Sequence, residues 1–427
     1  MSNFQKPKGT NDVYYEELNY LQYIIDLFKL QCANYGFKEI ICPIFENVNV
    51  FKRENDSSDM VNKEMYIFDN DRFALRPEGT AGVIRAVVEN KLYTSDLPLK
   101  LFYAGKMFRK ERPQKGRYRE FNQLGVEIIS EKSPLIDAEC IALGYYFLNF
   151  LGLSDIKILV NSLGDFESRK NYEKRLKEHF KDHLDELCED CKKRYETNPL
   201  RILDCKIDKD KDCVKMAPKI GESLSVEAKE YFNKVLSYLD ALEIPYEIDE
   251  RLVRGLDYYT DTVFEVVSTN KESGAQATLF AGGRYDNLVS ELGGPNLSGM
   301  GFAMGLERIA ILAKALNIEF DYEDELDIYI IDMTKSNPYI LSLASFLRNS
   351  GYKVDINFFD RKLKAQFKTV ERKKAKAVII MGDDELKEGL ISLKIIESQK
   401  QFKIKEEELI KVLDAELNGD DDHHHHH

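Results

Sequence analysis

The segment that decides the fold lies at residues 108–127 and reads FRKERPQKGRYREFNQLGVE. Apolar residues stand at both ends, and a charged stretch with Pro113 and Gly116 lies between them, which predicts two antiparallel strands joined by a loop. The segment contains four arginines and two lysines. Because guanidinium groups bind phosphate and carboxylate in a planar, two-pronged geometry, it is suited to a phosphorylated ligand. A solvated hairpin with salt bridges would have the same composition.

The sequence has no nucleotide-binding loop of the common glycine-rich kinds. The pattern GxxxxGK[ST] is absent, and GMGFAMG at 299–305 lacks the dinucleotide-binding spacing. If ATP binds, its phosphates must therefore be held by arginines and magnesium on an antiparallel sheet. The candidate side chains are Arg109, Arg117, Arg254 and Arg308.

Apolar patterns around this segment predict an α+β region. Helical spacing runs from Leu18 to Cys32 and stops at Gly36, and a second helical pattern covers 304–316 after the glycine-rich stretch. Extended or alternating patterns occupy 37–44, 68–75, 101–108, 125–129, 263–267 and 278–281. These short runs, separated by turn residues, predict antiparallel strands.

Changes in composition along the chain predict its domains. Residues 166–243 carry dense alternating charge and helical spacing, which indicates a helical insertion into a discontinuous domain of residues 1–165 and 244–320. Residues 326–418 alternate strand and helix patterns and predict a separate α/β domain. The tail 419–427 ends in five histidines, is typical of a purification tag and is expected to be disordered.

The charge balance argues against indiscriminate binding to nucleic acid, since the net charge is −13. One basic run is the exception. Residues 361–376 contain eight lysines and arginines against the single acid Glu371. This run is either a solvated helix face or a contact for RNA.

Cysteine usage and hydropathy predict a cytoplasmic protein. The N-terminus has no apolar run after its basic residues, and the longest uncharged stretch, 140–154, is shorter than the ~20 residues of a membrane span. Seven cysteines, an odd number, favour reduced thiols. Outside the tail only His179 and His183 occur, both in a charged helical stretch, so a catalytic histidine dyad is not expected.

Six strings, in order along the chain, resemble the histidyl-tRNA synthetases within the class II aminoacyl-tRNA synthetases. Three are similar to the class motifs, two are similar to signature peptides of the histidine enzymes, and one completes the pocket. The class strings are YGFKEIICPIFE at 35–46, FRKERPQKGRYREF at 108–121 and GMGFAMGLER at 299–308. The signature strings are LVRGLDYYT at 252–260 and AGGRYD at 281–286, and the string that completes the pocket is RPEGT at 76–80.

The resemblance implies a role for individual residues. Arg109 and Arg254 are implied to be catalytic, and Glu127 and Tyr259 to bind opposite nitrogens of an imidazole. Residues implied to bind ATP are Arg109, Glu111, Arg117 and Arg308. Residues implied to bind histidine are Glu78, Thr80, Gln123, Glu127, Arg254, Leu256, Tyr258, Tyr259 and Tyr285.

The resemblance also implies an activity and its partners. A class II catalytic domain with a helical insertion and a C-terminal anticodon-binding domain would activate L-histidine with ATP and Mg²⁺ and load it onto tRNA(His), as a homodimer. The rival interpretation is a non-catalytic regulatory subunit of ATP phosphoribosyltransferase, which shares the fold. The intact arginines and the C-terminal domain disfavour that rival, and the histidine peptides disfavour a class II enzyme for another amino acid.

The insertion contains one further pattern. Cys188 and Cys191 form CxxC, and Cys205 and Cys213 follow. These four could bind zinc, but the second pair lacks the CxxC spacing, and metal is not a standard feature of the family's insertion. Ordinary thiols without metal are therefore the expectation.

Overall fold

A computed structural model gives the fold and describes residues 3–53, 59–253, 258–270, 278–321, 325–335 and 337–418. The chain divides into two compact units, Met1–Phe320 and Asp321–His427. Among the described residues, no helix is both long enough and apolar enough to cross a bilayer.

The first unit is built on a large mixed sheet. Its strands are β1 (Lys38–Glu39), β2 (Phe45–Asn47), β3 (Ile67–Phe68), β4 (Phe73–Leu75), β5 (Leu99–Phe108), β6 (Glu120–Ser130), β7 (Ile156–Ser162), β8 (Tyr246–Ile248), β9 (Thr260–Ser268), β10 (Thr278–Tyr285) and β11 (Ser298–Gly305). Within the described residues the large sheet has the order β1-β5-β6-β11-β10-β9-β7-β8, and β2-β4-β3 form a small second sheet. The inner strands pair antiparallel, as predicted, whereas β1 and β8 pair parallel at the two edges.

Helices cover both faces of this sheet. They are α1 (Tyr15–Asn34), α2 (Asp59–Lys63), α3 (Thr80–Glu89), α4 (Pro134–Phe150), α5 (Phe166–Phe180), α6 (Glu189–Thr197), α7 (Asp212–Lys215), α8 (Val226–Ala241), α9 (Leu288–Glu291) and α10 (Leu306–Ala315). Residues of α1, α4, α8 and α10 share one core cluster with one sheet face, and residues of α3 and α9 pack with the opposite face. The α+β class is therefore as expected.

The insertion has a core of its own. Buried residues between Leu163 and Ile220 form a separate cluster that also contains Leu252, Val253 and Val263. Helix α8 does not belong to that cluster, because its buried residues pack in the main core. The compact part of the insertion therefore ends before α8.

The glycine-rich stretch at 299–305 forms strand β11, which the sequence patterns did not predict. Its residues pair with β6 on one side and β10 on the other. The helix begins only at Leu306, at the end of this strand. Alternation is hard to see in a run of glycines, because the residues on one face have no side chain to mark it.

The second unit is an α/β domain. Its elements are β12 (Ile328–Asp332), α11 (Pro338–Asn349), β13 (Val354–Ile356), α12 (Leu363–Arg372), β14 (Ala377–Met381), α13 (Asp383–Glu388), β15 (Ile391–Ile395), β16 (Gln401–Ile404) and α14 (Glu406–Leu417). The strands have the order β13-β12-β14-β15-β16. The first three are parallel, as predicted, and β15 and β16 add an antiparallel hairpin that was not predicted. The basic run contains α12.

Candidate active site

Strand β6 places alternate residues of the segment 108–127 in the core and in a candidate site. Gln123, Gly125 and Glu127 alternate with Leu124 and Val126 along the strand. Leu124 and Val126 are fully buried in the main core. Because successive residues of a strand point to opposite faces, Gln123, Gly125 and Glu127 share the other face of the sheet.

Glu127 is the centre of this face and is only 1% exposed. Its carboxyl group accepts 2.6 Å hydrogen bonds from the hydroxyls of Thr80 and Tyr285, one on each oxygen. Burial raises the pKa of Glu127 to about 8, although both hydroxyl donors act to lower it. The two hydroxyls fix the orientation of the carboxyl group, and burial makes its charge depend on a partner.

Two glycines leave room for the side chains of Glu127 and Tyr259. Glu127 pairs across the sheet with Gly301, and Gly301 pairs with Gly283. A Cβ atom at Gly301 would collide with Oε2 of Glu127, and one at Gly283 would lie 2.8 Å from the ring of Tyr259. Strands lie about 4.8 Å apart, so the backbones of Glu127 and Gly283 are separated by roughly 10 Å. We call the space over the two glycines, between Glu127 and Tyr259, the polar trough.

Unpaired polar atoms surround the polar trough. Among the described residues, the hydroxyls of Tyr103 and Tyr258 and Oε1 of Gln123 are buried without a partner in hydrogen-bonding geometry. The ring of Tyr258 lies 5.4 Å from that of Tyr285, between centroids. Leaving a buried polar group unpaired costs about 1–3 kcal/mol, so a polar ligand that pairs these atoms gains binding energy.

Glu78 holds the rim of the polar trough. Its Oε2 accepts a hydrogen bond from the backbone N–H of Thr80 at 2.5 Å, and its Oε1 accepts one from Ala81 at 3.0 Å. These bonds satisfy N–H groups in the first turn of α3, which have no partner within the helix. Glu78 thereby places the Thr80 hydroxyl on Glu127, and each of its oxygens keeps a lone pair for a ligand.

Arg109 follows β5 and turns back over the sheet. Its Nε donates to the carbonyl oxygen of Pro77 at 2.9 Å, and its guanidinium carbon lies 5.2 Å from the ring centroid of Phe121. Burial lowers the pKa of Arg109, and Glu111 is the largest of the charges that oppose this shift. The guanidinium is held on an aromatic ring with part of its donor capacity still available.

The loop between β5 and β6 approaches helix α10. The backbone groups of Gln114 and Arg117 bond to each other, and Gly116 between them has φ +78°. A Cβ atom at Gly116 would lie 3.2 Å from Cγ of Arg308. The tip of the arginine-rich loop therefore adjoins the arginine of α10, although the two are far apart in sequence.

Glu307 joins the start of α10 to β6. Its carboxylate accepts a hydrogen bond from the backbone N–H of Asn122 at 2.9 Å and another from the Asn122 side chain at 2.7 Å. This contact places the neighbouring Arg308 beside the loop. Sequence patterns did not identify Glu307 or Asn122, since neither carries a chemical signature on its own.

Two residues predicted for the site, Arg254 and Leu256, lie outside the described residues. The peptide that contains them resumes at Tyr258. The backbone oxygen of Tyr259 accepts a hydrogen bond from Arg169 at 3.1 Å, so the insertion contacts the wall of the polar trough.

Neighbouring residues of the AGGRYD peptide have different roles: one is buried in the protein interior and the next contacts Glu127. Arg284 is fully buried and forms an ion pair with Asp137, whose other oxygen accepts a 2.6 Å hydrogen bond from Thr262. The next residue, Tyr285, points to Glu127 instead. Asp137 and Tyr103 were not predicted. Alternation with the glycines of the opposing strand is the signal that could have indicated Tyr103, because its ring fills the space over Gly125.

Fold and site together define a class of protein. An antiparallel sheet presents an arginine at the end of one strand, an arginine-rich hairpin loop and a glycine-rich strand that leads into an arginine-bearing helix. This is the catalytic domain of a class II aminoacyl-tRNA synthetase.

Comparisons with known proteins narrow the class. The family described as histidyl-tRNA synthetase matches residues 9–309, and the anticodon binding domain family matches residues 327–416. Histidine–tRNA ligase of Bacillus subtilis is 44% identical over 419 residues, covering 97% of this chain and 99% of its own. The crystal structure of apo histidyl-tRNA synthetase from S. aureus is 38% identical, with a TM-score of 0.84, covering 96% of this chain and 99% of its own.

A more distant structure shows the fold alone. It is an ATP phosphoribosyltransferase regulatory subunit/histidyl-tRNA synthetase from Bacillus halodurans, 22% identical with a TM-score of 0.63, covering 89% of this chain and 99% of its own. The full-length likeness to histidine–tRNA ligases supports the enzyme over the regulatory subunit. The chain belongs to the histidyl-tRNA synthetase family.

Proposed function

We propose that the chain activates L-histidine with Mg·ATP in the polar trough and transfers it to tRNA(His). The observation that carries this proposal is Glu127, a buried carboxyl group that is oriented by two hydroxyls and lies over Gly301, next in the sheet to Gly283, over which the Tyr259 ring lies. An imidazole has a nitrogen on each side of its ring, so it can bond to both groups at once. A site built to pair buried polar groups rejects apolar amino acids of similar size, because they would leave those groups unpaired.

The proposed chemistry needs no protein nucleophile. The carboxylate of histidine attacks the α-phosphorus of ATP, and pyrophosphate leaves with the magnesium. Arg109 neutralises charge that develops on the α-phosphoryl oxygens, because a guanidinium held in place before reaction stabilises the transition state without reorganising. A ribose hydroxyl of the tRNA terminus then attacks the histidyl carbonyl, and AMP leaves.

The remaining residues bind the two substrates. Arg117 follows Gly116, the loop residue that adjoins Arg308. Arg117 and Arg308 are proposed to hold the β- and γ-phosphates and the adenine, with Glu111 at the adenine edge. Gln123 and Thr80, beside Glu78, are proposed to take the α-ammonium group of histidine. The roles proposed for Arg254 and Leu256 rest on the sequence resemblance.

Pyrophosphate exchange tests the assignment of Arg109. We expect exchange with histidine and with no other amino acid, and a loss of about 10²-fold or more in Arg109→Ala, the effect of removing one transition-state donor. Arg112→Ala is the matched control, because Arg112 is an exposed arginine of the same loop with no proposed role. Equal activity in the two variants would refute the role of Arg109.

The assembly and location are part of the proposal. Motif 1 of the class lies at a dimer interface, and here Ile41 in that segment is 86% exposed, with Ile44 and Phe45 about half exposed. Such apolar exposure on a short edge segment suits burial by a second copy. We propose a cytoplasmic location because the seven cysteines suit a reducing compartment. The exposed apolar residues lead us to propose a homodimer, and light scattering should give twice 49.4 kDa. A monomeric mass at micromolar concentration would contradict it.

A further inference from the structure

The insertion brings three cysteines and an aspartate together. One ligand atom from each of Cys188, Cys191, Cys205 and Asp208 lies within 4.8 Å of all the others. Cys213, the fourth cysteine of the region, is not in this group and lies near His183 and Glu186 instead. The four cysteines therefore do not form one group, and Asp208 lies beside the first three.

The spacing of the sulfur atoms fits one metal ion. Sγ of Cys188 lies 3.8 Å from Sγ of Cys205, far beyond the length of a disulfide bond. In a tetrahedral zinc site with Zn–S bonds of about 2.3 Å, neighbouring sulfurs are separated by roughly 3.8 Å. Three thiolates and one carboxylate would complete the four ligands of a closed, structural site.

Local chain geometry supplies the ligands from two segments. Cys188 and Cys191 flank the start of helix α6, so the CxxC turn presents both sulfurs from one helix end. Cys205 and Asp208 follow the 3₁₀ turn Pro199–Asp204, whose buried residues belong to the insertion core. A shared ion would thus fasten two segments of a small core to each other.

Burial makes the arrangement costly without a cation. Asp208 is fully buried, Cys191 is fully buried and Cys205 is 6% exposed. Oδ2 of Asp208 accepts a hydrogen bond from the backbone N–H of Cys188 at 2.9 Å, which orients the carboxylate within the cluster. Lys211 supplies a compensating positive charge for the buried carboxylate of Asp208, whereas three neighbouring thiolates would require a further cation.

Two cations flank the cluster and balance its charge. Lys211 pairs with Oδ1 of Asp208 at 2.7 Å, and a guanidinium N–H of Arg194 donates to Sγ of Cys191 at 3.5 Å. A Zn²⁺ ion with three thiolates and one carboxylate carries a net charge of −2, which these two side chains offset.

We propose that Cys188, Cys191, Cys205 and Asp208 hold one structural Zn²⁺ ion in the insertion. The site is closed, with four protein ligands and no position for substrate. Its role is to stabilise the insertion core. That core also contains Leu252 and Val253, which precede Tyr259 of the polar trough in the sequence. Thiolate ligands and tetrahedral spacing favour zinc over magnesium or calcium, which prefer oxygen.

Metal content is the first test, made on full-length protein without the five terminal histidines, which would bind zinc themselves. We expect about one zinc per chain after dialysis by elemental analysis, and near-complete loss in Cys188→Ser and Cys205→Ser. Cys213→Ser is the matched control, a buried cysteine of the same core outside the cluster. It should keep its zinc.

Cobalt exchange tests the ligand set on the wild-type protein first, so that this result does not depend on whether a variant folds. Wild-type protein loaded with Co²⁺ should show thiolate-to-metal charge-transfer absorption and the strong visible bands of a tetrahedral site. Asp208→Asn should keep the charge-transfer bands but bind cobalt more weakly. Less than half an equivalent of zinc, iron in its place, a reducible disulfide between Cys188 and Cys205, or zinc loss in Cys213→Ser would each overturn the proposal.

Discussion

The buried carboxyl group of Glu127 should make the stability of the unliganded protein depend on pH. Its pKa is raised from 4.5 to about 8 in the folded chain, because burial disfavours the ionised form. Between these values the folded state keeps a proton that the unfolded state has lost. Stability contributed by the protonated group is therefore complete below the unfolded pKa and is lost as pH rises towards 8.

The magnitude follows from proton linkage. One proton held by the folded state alone gives a slope of about −1.4 kcal/mol per pH unit, so the total loss by pH 8 approaches roughly 5 kcal/mol. Glu127→Gln removes this titration and keeps the size of the side chain. The free energy of unfolding of wild type relative to Glu127→Gln should therefore fall from pH 5 to pH 8 and stay level above it.

Urea unfolding of both proteins at a series of pH values, without histidine or ATP, measures this difference. A constant offset between the variants is expected from rearranged hydrogen bonds to Thr80 and Tyr285, so only the slope is diagnostic. Tyr285→Phe removes a donor that lowers the pKa of Glu127, and its stability should continue to fall above pH 8. Parallel pH curves for wild type and Glu127→Gln would refute the reasoning.

Three further predictions concern other parts of the chain. Gly301→Ala should lower the free energy of unfolding by about 1–3 kcal/mol through overpacking, and it should raise the KM for histidine more than the KM for ATP. An unchanged ratio of the two KM values in pyrophosphate exchange would contradict this prediction. Asp137→Ala should lower the free energy of unfolding by about 3–5 kcal/mol, because it leaves Arg284 buried without its ion-pair partner. A thermal unfolding curve unchanged from wild type would count against this prediction. Lys364 and Lys368 are exposed on one face of α12. If that helix contacts RNA, replacing both with glutamine should reduce the slope of log K for tRNA binding against log salt concentration by roughly 0.7–0.9 per charge removed. An unaltered slope in filter binding would exclude the contact.

Local patterns were enough for much of the fold. The strands β5 and β6, the helix that stops at Gly36 and the α/β alternation of the second unit were predicted from periodicity, because each buries one face against a core. The parallel edges of the large sheet and the hairpin of β15 and β16 were not, since pairing partners far apart in sequence leave no local trace.

The sequence by itself determined which residue types could meet a nucleotide and an imidazole: the arginine-rich hairpin, the glycine-rich strand and the tyrosine peptides. Only the tertiary structure decided their arrangement, in particular that Gly301 and Gly283 pair in the sheet and leave room for Glu127 and Tyr259 above them. The tertiary structure also places Asp208, and not Cys213, beside Cys188, Cys191 and Cys205. The physical reason is the same in both cases. Sheet register and core packing set distances between side chains from separate segments, and neither is encoded in the spacing of any one motif.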